Sequence, residues 1–341
     1  MLHLIKPRSL PDSIYYSQLL NLKKTINDIK ADSCKLWVPE KDADLEGADY
    51  FYSGKSIDRR RIYNGDMVYC RSAVDYFRTR IVLAGRRVKY IYDFRAIQGY
   101  EGIYMKVGLL NICALFILEF ICYCSAHQVN AVSNNLAEKL HSLFLIHRKI
   151  NILPCFTSYE PVIGVPPKGI INFVYVGGTS KWQCIEDIFR IYKNISAEFN
   201  STLTFYTKDT IYITELAEKF KVTVACRYVQ QNRLGEELAL YDFGFLIRER
   251  NIINEVASPV KFLEYLSKGI IPIITEGIGD YSEVVKEKKI GVILKDNYDG
   301  IGGQIKDALA DRDIYLNMFK YANEMTWANN KTRISKVFLA L

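Results

Sequence analysis

Lys261 and Glu264 stand three residues apart in the segment NEVASPVKFLEYLSKG, Asn254 to Gly269. That spacing puts both side chains on one face of a helix. Ser258 followed by Pro259 marks the helix start, with Ser as N-cap and Pro as the first helical residue, and Gly269 marks its stop. Free N–H groups and the dipole at a helix N-terminus favour an anion, so a phosphate beside Lys261 with Glu264 reaching for hydroxyls is one chemistry the pair supports. The other reading is a capped amphipathic helix with a surface Lys–Glu pair worth only about 0.3–0.5 kcal/mol, and periodicity alone favours it.

Other chemistries find little support. The eight cysteines include no CxxC pair, and His3, His127, His141 and His147 stand at neither metal-ligand nor triad spacing, which disfavours zinc and a histidine-dependent nucleophile. Unpaired thiols with no signal peptide ahead of them predict a reducing cytoplasm.

The 341 residues, 49% hydrophobic and 24% charged, suffice for two globular domains and exclude a disordered tail, a collagen-like fibre and a disulfide-stapled miniprotein. The formal charge is +7, and the segment from Lys55 to Arg95 holds the whole excess. Such a segment attracts anionic phospholipid, phosphorylated ligand or nucleic acid, or is simply a solvated basic surface. The most apolar stretch, VGLLNICALFILEFICYC at 107 to 124, is interrupted by Glu119 and falls short of the roughly 20 residues of a membrane span. It reads as a helix apolar nearly all round, buried in a core or docked at a membrane surface, with the buried core favoured.

Four of the nine prolines fall in PCFTSYEPVIGVPP, 154 to 167, which reads as a linker. Downstream, IINFVYV, TLTFYT, VTVAC, FGFLI, IIPIIT and GVIL alternate with amphipathic stretches, predicting six strands and intervening helices in a doubly wound parallel sheet. Upstream, LWV, MVYC, VKYIYD, QVNAVS and INIL repeat the pattern less cleanly. The expected fold class is α/β, with two Rossmann-like doubly wound domains facing a cleft toward which strand carboxyl ends point.

The run YDFGFLIRERNIINEVASPVKFLEYLSKGIIPIITEGIGDYSEVV, 241 to 285, resembles the donor-binding core of GT-B glycosyltransferases of family 4, also called group 1. FVYVGGTSKWQ at 173 to 183, NAVSNNLAEKL at 130 to 140 and INILPCF resemble further steps of that family, and Trp327 suits its terminal helix. The resemblance implies an acceptor-binding domain over 1–155, a Pro-rich linker over 156–168, a nucleotide-sugar-binding domain over 169–320, and a helix over 321–341 crossing back to the first domain. Glu264 resembles the family's ribose carboxylate, and Lys181 the basic residue at the donor diphosphate. Gly177 and Gly178 would let backbone approach the ligand. Lys261 adds a second cation, and Arg248 and Arg250 face the same crevice, or are solvated arginines. Val229 stands where the family holds the nucleobase with backbone atoms.

Three departures stand out. The family's paired glutamates are eight positions apart, but Val256 stands eight before Glu264, so Glu255 either contacts the donor sugar through a shifted loop or the contact is absent. Gly178 replaces the arginine that commonly precedes the diphosphate lysine, and MLHLIKPRSL lacks the Gly-rich loop after the first strand. YDFRAIQGYEG at 92 to 102 resembles an Asp–x–Arg segment of polysaccharide-assembly members. There Asp93 or Glu101 would orient an acceptor hydroxyl or act as base if the reaction inverts, with an Asp93–Arg95 ion pair as the structural reading.

The function implied is that of a hexosyltransferase-like enzyme moving a sugar from a nucleotide-diphosphate donor to a glycan acceptor carried on lipid, in surface polysaccharide assembly. It would retain configuration, use no metal or other cofactor, and work in the cytoplasm, peripherally at the inner face of the membrane. The rivals are a nucleotide-sugar epimerase on the same architecture and a non-enzymatic basic adaptor. The aromatics interleaved in the basic segment form no RNA motif, which weakens nucleic acid as a partner.

Overall fold

Most strands form on short, largely apolar runs, as sheets covered on both faces require, although QVNA at 128 to 131 and STLTFY at 201 to 206 carry polar residues in alternation. The computed structural model describes residues 1–7, 14–42, 44–52, 57–294, 298 and 300–339. Lys55, the first cation of the basic segment, lies outside them. The strands are β1 Leu2–Ile5, β2 Cys34–Pro39, β3 Tyr50–Tyr52, β4 Met67–Cys70, β5 Lys89–Phe94, β6 Gln128–Ala131, β7 Ile150–Ile152, β8 Ile171–Val176, β9 Ser201–Tyr206, β10 Ala225–Arg227, β11 Phe243–Leu246, β12 Ile271–Thr275 and β13 Val292–Leu294. They build two parallel sheets, ordered β3-β2-β1-β4-β5-β6-β7 and β10-β9-β8-β11-β12-β13. The α/β class with two doubly wound sheets is therefore as expected, although β1 and β3 had no counterpart in the sequence pattern.

The chain divides into two compact units. The first comprises Met1–Cys155, Val256–Ser258 and Trp327–Leu341, and the second Phe156–Glu255 and Pro259–Thr326. In the second, strand order reverses between β8 and β11, and the carboxyl ends of two such diverging strands open a crevice for ligands. Beneath it, Phe173 stacks on Phe243 and Phe245 at centroid distances of 5.3 and 5.7 Å, and Phe189 on Phe205 at 5.1 Å, inside a core of buried aliphatic side chains.

The helix carrying Lys261 and Glu264 runs Val260–Ser267, one residue later than expected. Pro259, extended at φ −67° and ψ 122°, is its N-cap and has no side-chain donor or acceptor to offer. At its other end Gly269 adopts φ +70°, its N–H bonds Leu266 O and the Ile270 N–H bonds Tyr265 O, which is a Schellman stop. A Cβ at Gly269 would lie 2.5 Å from Gly164 Cα, because the Pro-rich segment is strapped across this end through the Val162 N–H to Ser267 O bond. Gly269→Ala should therefore combine left-handed strain with a backbone collision and cost about 3 kcal/mol or more, measured by urea unfolding.

The apolar stretch 107 to 124 departs most from expectation. It is the helix Leu109–Ser125, separated from the helix Gln98–Tyr104 by Lys106 at φ +55°. Only Glu119, Cys122 and Tyr123 on it are buried, while Leu109, Leu110, Ile117, Phe120 and Ile121 are exposed, so the favoured buried-core reading is overturned. Among the described residues no helix is long and apolar enough to cross a membrane.

Glu119 fixes the inner face. Its carboxylate accepts from the N–H groups of Gln98 at 2.8 Å and Gly99 at 3.3 Å, capping the preceding helix. Burial nevertheless pushes it up to about 7, against the opposing pull of those two N–H groups. A carboxyl raised on folding contributes stability that is full below about pH 4.5 and is lost as pH rises through about 7. Glu119→Gln should therefore gain about 2–3 kcal/mol on the wild type between pH 5 and pH 8, read from unfolding free energies at the two values.

Candidate functional site

The crevice of the second unit is built from the ends of β8 and β11 and from the helix Val260–Ser267. After β8 the chain turns at Gly177 with φ +132°, its N–H held by Tyr206 O at 3.0 Å. The backbone there requires glycine, and a Cβ would also lie 3.0 Å from Lys261 Nζ, crowding the ammonium. Gly178 follows with open space where a side chain would stand, and its carbonyl accepts the Tyr175 hydroxyl at 2.5 Å. Lys181 is exposed in the turn Lys181–Gln183 just beyond.

Lys261 is not a surface residue. It is 7% exposed, its Nζ donates to Gln183 Oε1 at 3.1 Å, and it sits 4.3 Å from the centroid of the Tyr175 ring. Among the described residues no carboxylate lies within ion-pair distance of it. Burial, and secondarily the Arg248 guanidinium, hold its ammonium well below the usual lysine range, with Glu264 opposing. Arg248 leaves the end of β11 with its N–H on Thr275 Oγ1 at 2.9 Å and its Nη1 on Asn254 Oδ1 at 3.1 Å. The turn at Gly177 thus has a buried ammonium and a guanidinium close to it, a concentration of positive charge that favours an anionic ligand.

Glu264, one turn after Lys261, is 5% exposed. Both side chains are thus inside, and the surface-pair reading fails because every residue from Lys261 to Ser267 is buried. Tyr159, from the Pro-rich segment, packs against the cluster containing Tyr265, and burial and, after it, the Glu264 charge push its hydroxyl upward. Val229, between β10 and the helix Gln231–Leu238, packs half-buried against the cluster containing Val176, Tyr206 and Tyr265. Arg250 and Glu255 form an exposed pair of their own, Nε to Oε1 at 3.6 Å, over Gly277. The structure therefore brings together Gly177, Arg248, Lys261 and Glu264. It adds Tyr175, Gln183 and Tyr159, for which the sequence carried no signal beyond proximity to the glycines and the Pro-rich segment.

Asp93 belongs to the first unit, at the end of β5. Its Oδ2 accepts from Arg95 Nε at 2.5 Å, Arg71 Nε at 3.1 Å and the Tyr69 hydroxyl, and the carboxylate is fully buried. The Asp93–Arg95 pair is present and is extended by Arg71 and Tyr69. Glu101 is half-buried, and burial raises it above the ordinary glutamate range. Among the described residues no three His, Cys, Asp or Glu side chains cluster so as to hold a metal.

The two doubly wound parallel units have the GT-B glycosyltransferase fold. Three solved structures carry that likeness. The sucrose-phosphate synthase from Thermosynechococcus elongatus superposes with a TM-score of 0.74 at 12% identity, covering 99% of this chain and 98% of that one. The lipopolysaccharide outer core galactosyltransferase WaaB gives 0.71 at 13% identity, covering 99% of each. WaaG, a glycosyltransferase involved in lipopolysaccharide biosynthesis, gives 0.68 at 10% identity, covering 99% and 100%. No protein-family profile matches the sequence, and no curated protein does.

Proposed function

We propose that this chain is a glycosyltransferase that takes a sugar from a nucleoside-diphosphate donor bound in the crevice of the second unit. The observation that carries the reading is Lys261: a buried ammonium, without a carboxylate partner among the described residues, set against a glycine turn and one turn from a buried carboxylate. Burying such a residue costs desolvation that a neutral hydrogen bond and a ring contact offset only in part, whereas a diphosphate beside it would supply an opposite charge. Glu264 accepts the ribose hydroxyls, and Gly177 and Gly178 admit the phosphates to the backbone. As the glycosidic bond breaks, Lys261, Lys181 and Arg248 stabilise the charge growing on the leaving diphosphate, the task a metal ion performs elsewhere. Arg250 and Glu255 lie at the sugar end, and the loop of Val229 at the nucleobase.

The acceptor is a glycan carried on lipid at the inner face of the membrane, and the product keeps the donor's anomeric configuration. That WaaG is involved in lipopolysaccharide biosynthesis and WaaB is a lipopolysaccharide outer core galactosyltransferase supports a surface-glycan role by similarity of fold. The test is incubation with uridine- and guanosine-diphosphate sugars, with and without a lipid-linked saccharide, with the anomeric configuration read by NMR. Transfer only when acceptor is present supports the proposal. An altered donor sugar formed without acceptor would make the chain an epimerase instead.

A further inference from the structure

We infer that the outer face of the helix Leu109–Ser125 is a docking surface for an anionic lipid bilayer, on which the helix lies in the plane of the headgroups. Seventeen residues make a helix about 25 Å long. Along it Leu109, Leu110, Ile117, Phe120 and Ile121 stand exposed, Leu110 at 86% and Ile117 at 58%, a contiguous apolar stripe at helical spacing of the kind that marks an interaction surface. Its one charged residue, Glu119, is turned inward onto the N–H groups of Gln98 and Gly99.

The ends of the stripe are cationic. Lys106 is exposed just before its first turn. At its last turn Arg80 donates to Ser125 O at 3.3 Å, and Arg148 donates to Tyr123 O and, at 2.8 Å, to Ala126 O. An apolar face with cations at both ends is the pattern of a helix lying at an anionic interface, where cations near the surface add electrostatic attraction to the burial of the apolar face. The same arrangement argues against a second copy of the chain: whether two such helices packed parallel or antiparallel, cation would meet cation. The inference deepens the proposed lipid-linked acceptor by naming the surface that brings the enzyme to it. It rests on that reading for its purpose only, since vesicle binding needs no turnover.

The experiment is flotation of the full chain with phosphatidylglycerol-containing and with pure phosphatidylcholine vesicles, at low and high salt, beside light scattering of the chain alone. The wild type should float with anionic vesicles, and at least tenfold less with neutral ones or at high salt. Leu110→Asp/Ile117→Asp should lose binding at least tenfold while its unfolding midpoint and its stabilisation by nucleoside diphosphates stay those of the wild type, because both side chains lie outside the core. Exposed Cys113 and Cys124 should become protected from a water-soluble maleimide on anionic vesicles. Absence of vesicle binding, equal binding by the double variant, or a dimer that the double variant dissociates would each overturn the inference. Nucleotide stabilisation would report separately on the donor site.

Discussion

Lys261→Met should lower kcat/KM about 10²–10³-fold, the loss typical of removing one preorganised stabiliser of developing negative charge, while leaving the protein at least as stable as the wild type. The two effects have one cause. The ammonium is buried against Tyr175 with Gln183 as its hydrogen-bond partner, so the fold bears its desolvation and recovers the cost only when an anion arrives. A lysine depressed on folding makes stability rise with pH from its folded value up to about 10.5, so the gain of Lys261→Met should shrink as pH rises toward that value. A diphosphate alongside would raise the ammonium again. At a pH above the lysine's depressed folded value, donor binding should then take up protons, seen by calorimetry as a binding enthalpy that depends on the buffer's heat of ionisation. A structural lysine would instead give a destabilised variant with unchanged kinetics.

Glu264→Gln should cost about 10²-fold in kcat/KM, since hydrogen bonds to a charged group contribute about 1.5–3 kcal/mol each and the amide replaces a pure acceptor by a group that also donates. The loss should be much smaller with a donor lacking one ribose hydroxyl, because the wild type would already have forfeited that bond. Steady-state kinetics with ribose- and deoxyribose-containing donors provide the comparison. Equal losses with both donors would place the carboxylate elsewhere than the ribose.

The pairing of Lys261 with Glu264 was legible because helical spacing and the glycine stop are written locally. Their burial was not. The three-residue spacing puts them on one face, but what lies against Lys261 is set by Tyr175 on β8 and Gln183 in the turn after it, both remote in sequence. The Ser258–Pro259 start misplaced the first helical residue by one, because Pro259 remains extended. Strands β8, β11 and β12 declared themselves as short, largely apolar runs, whereas β1, LHLI, is interrupted by His3 and β3, YFY, holds no aliphatic or β-branched residue. For 107 to 124, composition reported a preference for apolar surroundings without saying what supplies them, and the structure leaves the outer face unfilled. The Asp93–Arg95 pair was readable from its neighbours in sequence. Arg71 and Tyr69 reach it from β4 and the residue following it, one strand over, a register no local pattern encodes.

The most direct test of the donor crevice is thermal and chemical stability measured against uridine, guanosine, adenosine and thymidine diphosphates, with Lys261→Met and Glu264→Gln alongside. A nucleotide at a hundred times its dissociation constant adds about 2.7 kcal/mol to a protein that binds it only when folded. Stabilisation of the wild type by one class of nucleoside diphosphate, lost in both variants, is the predicted result. Absence of any shift in the wild type, or a shift of equal size in all three proteins, would contradict it.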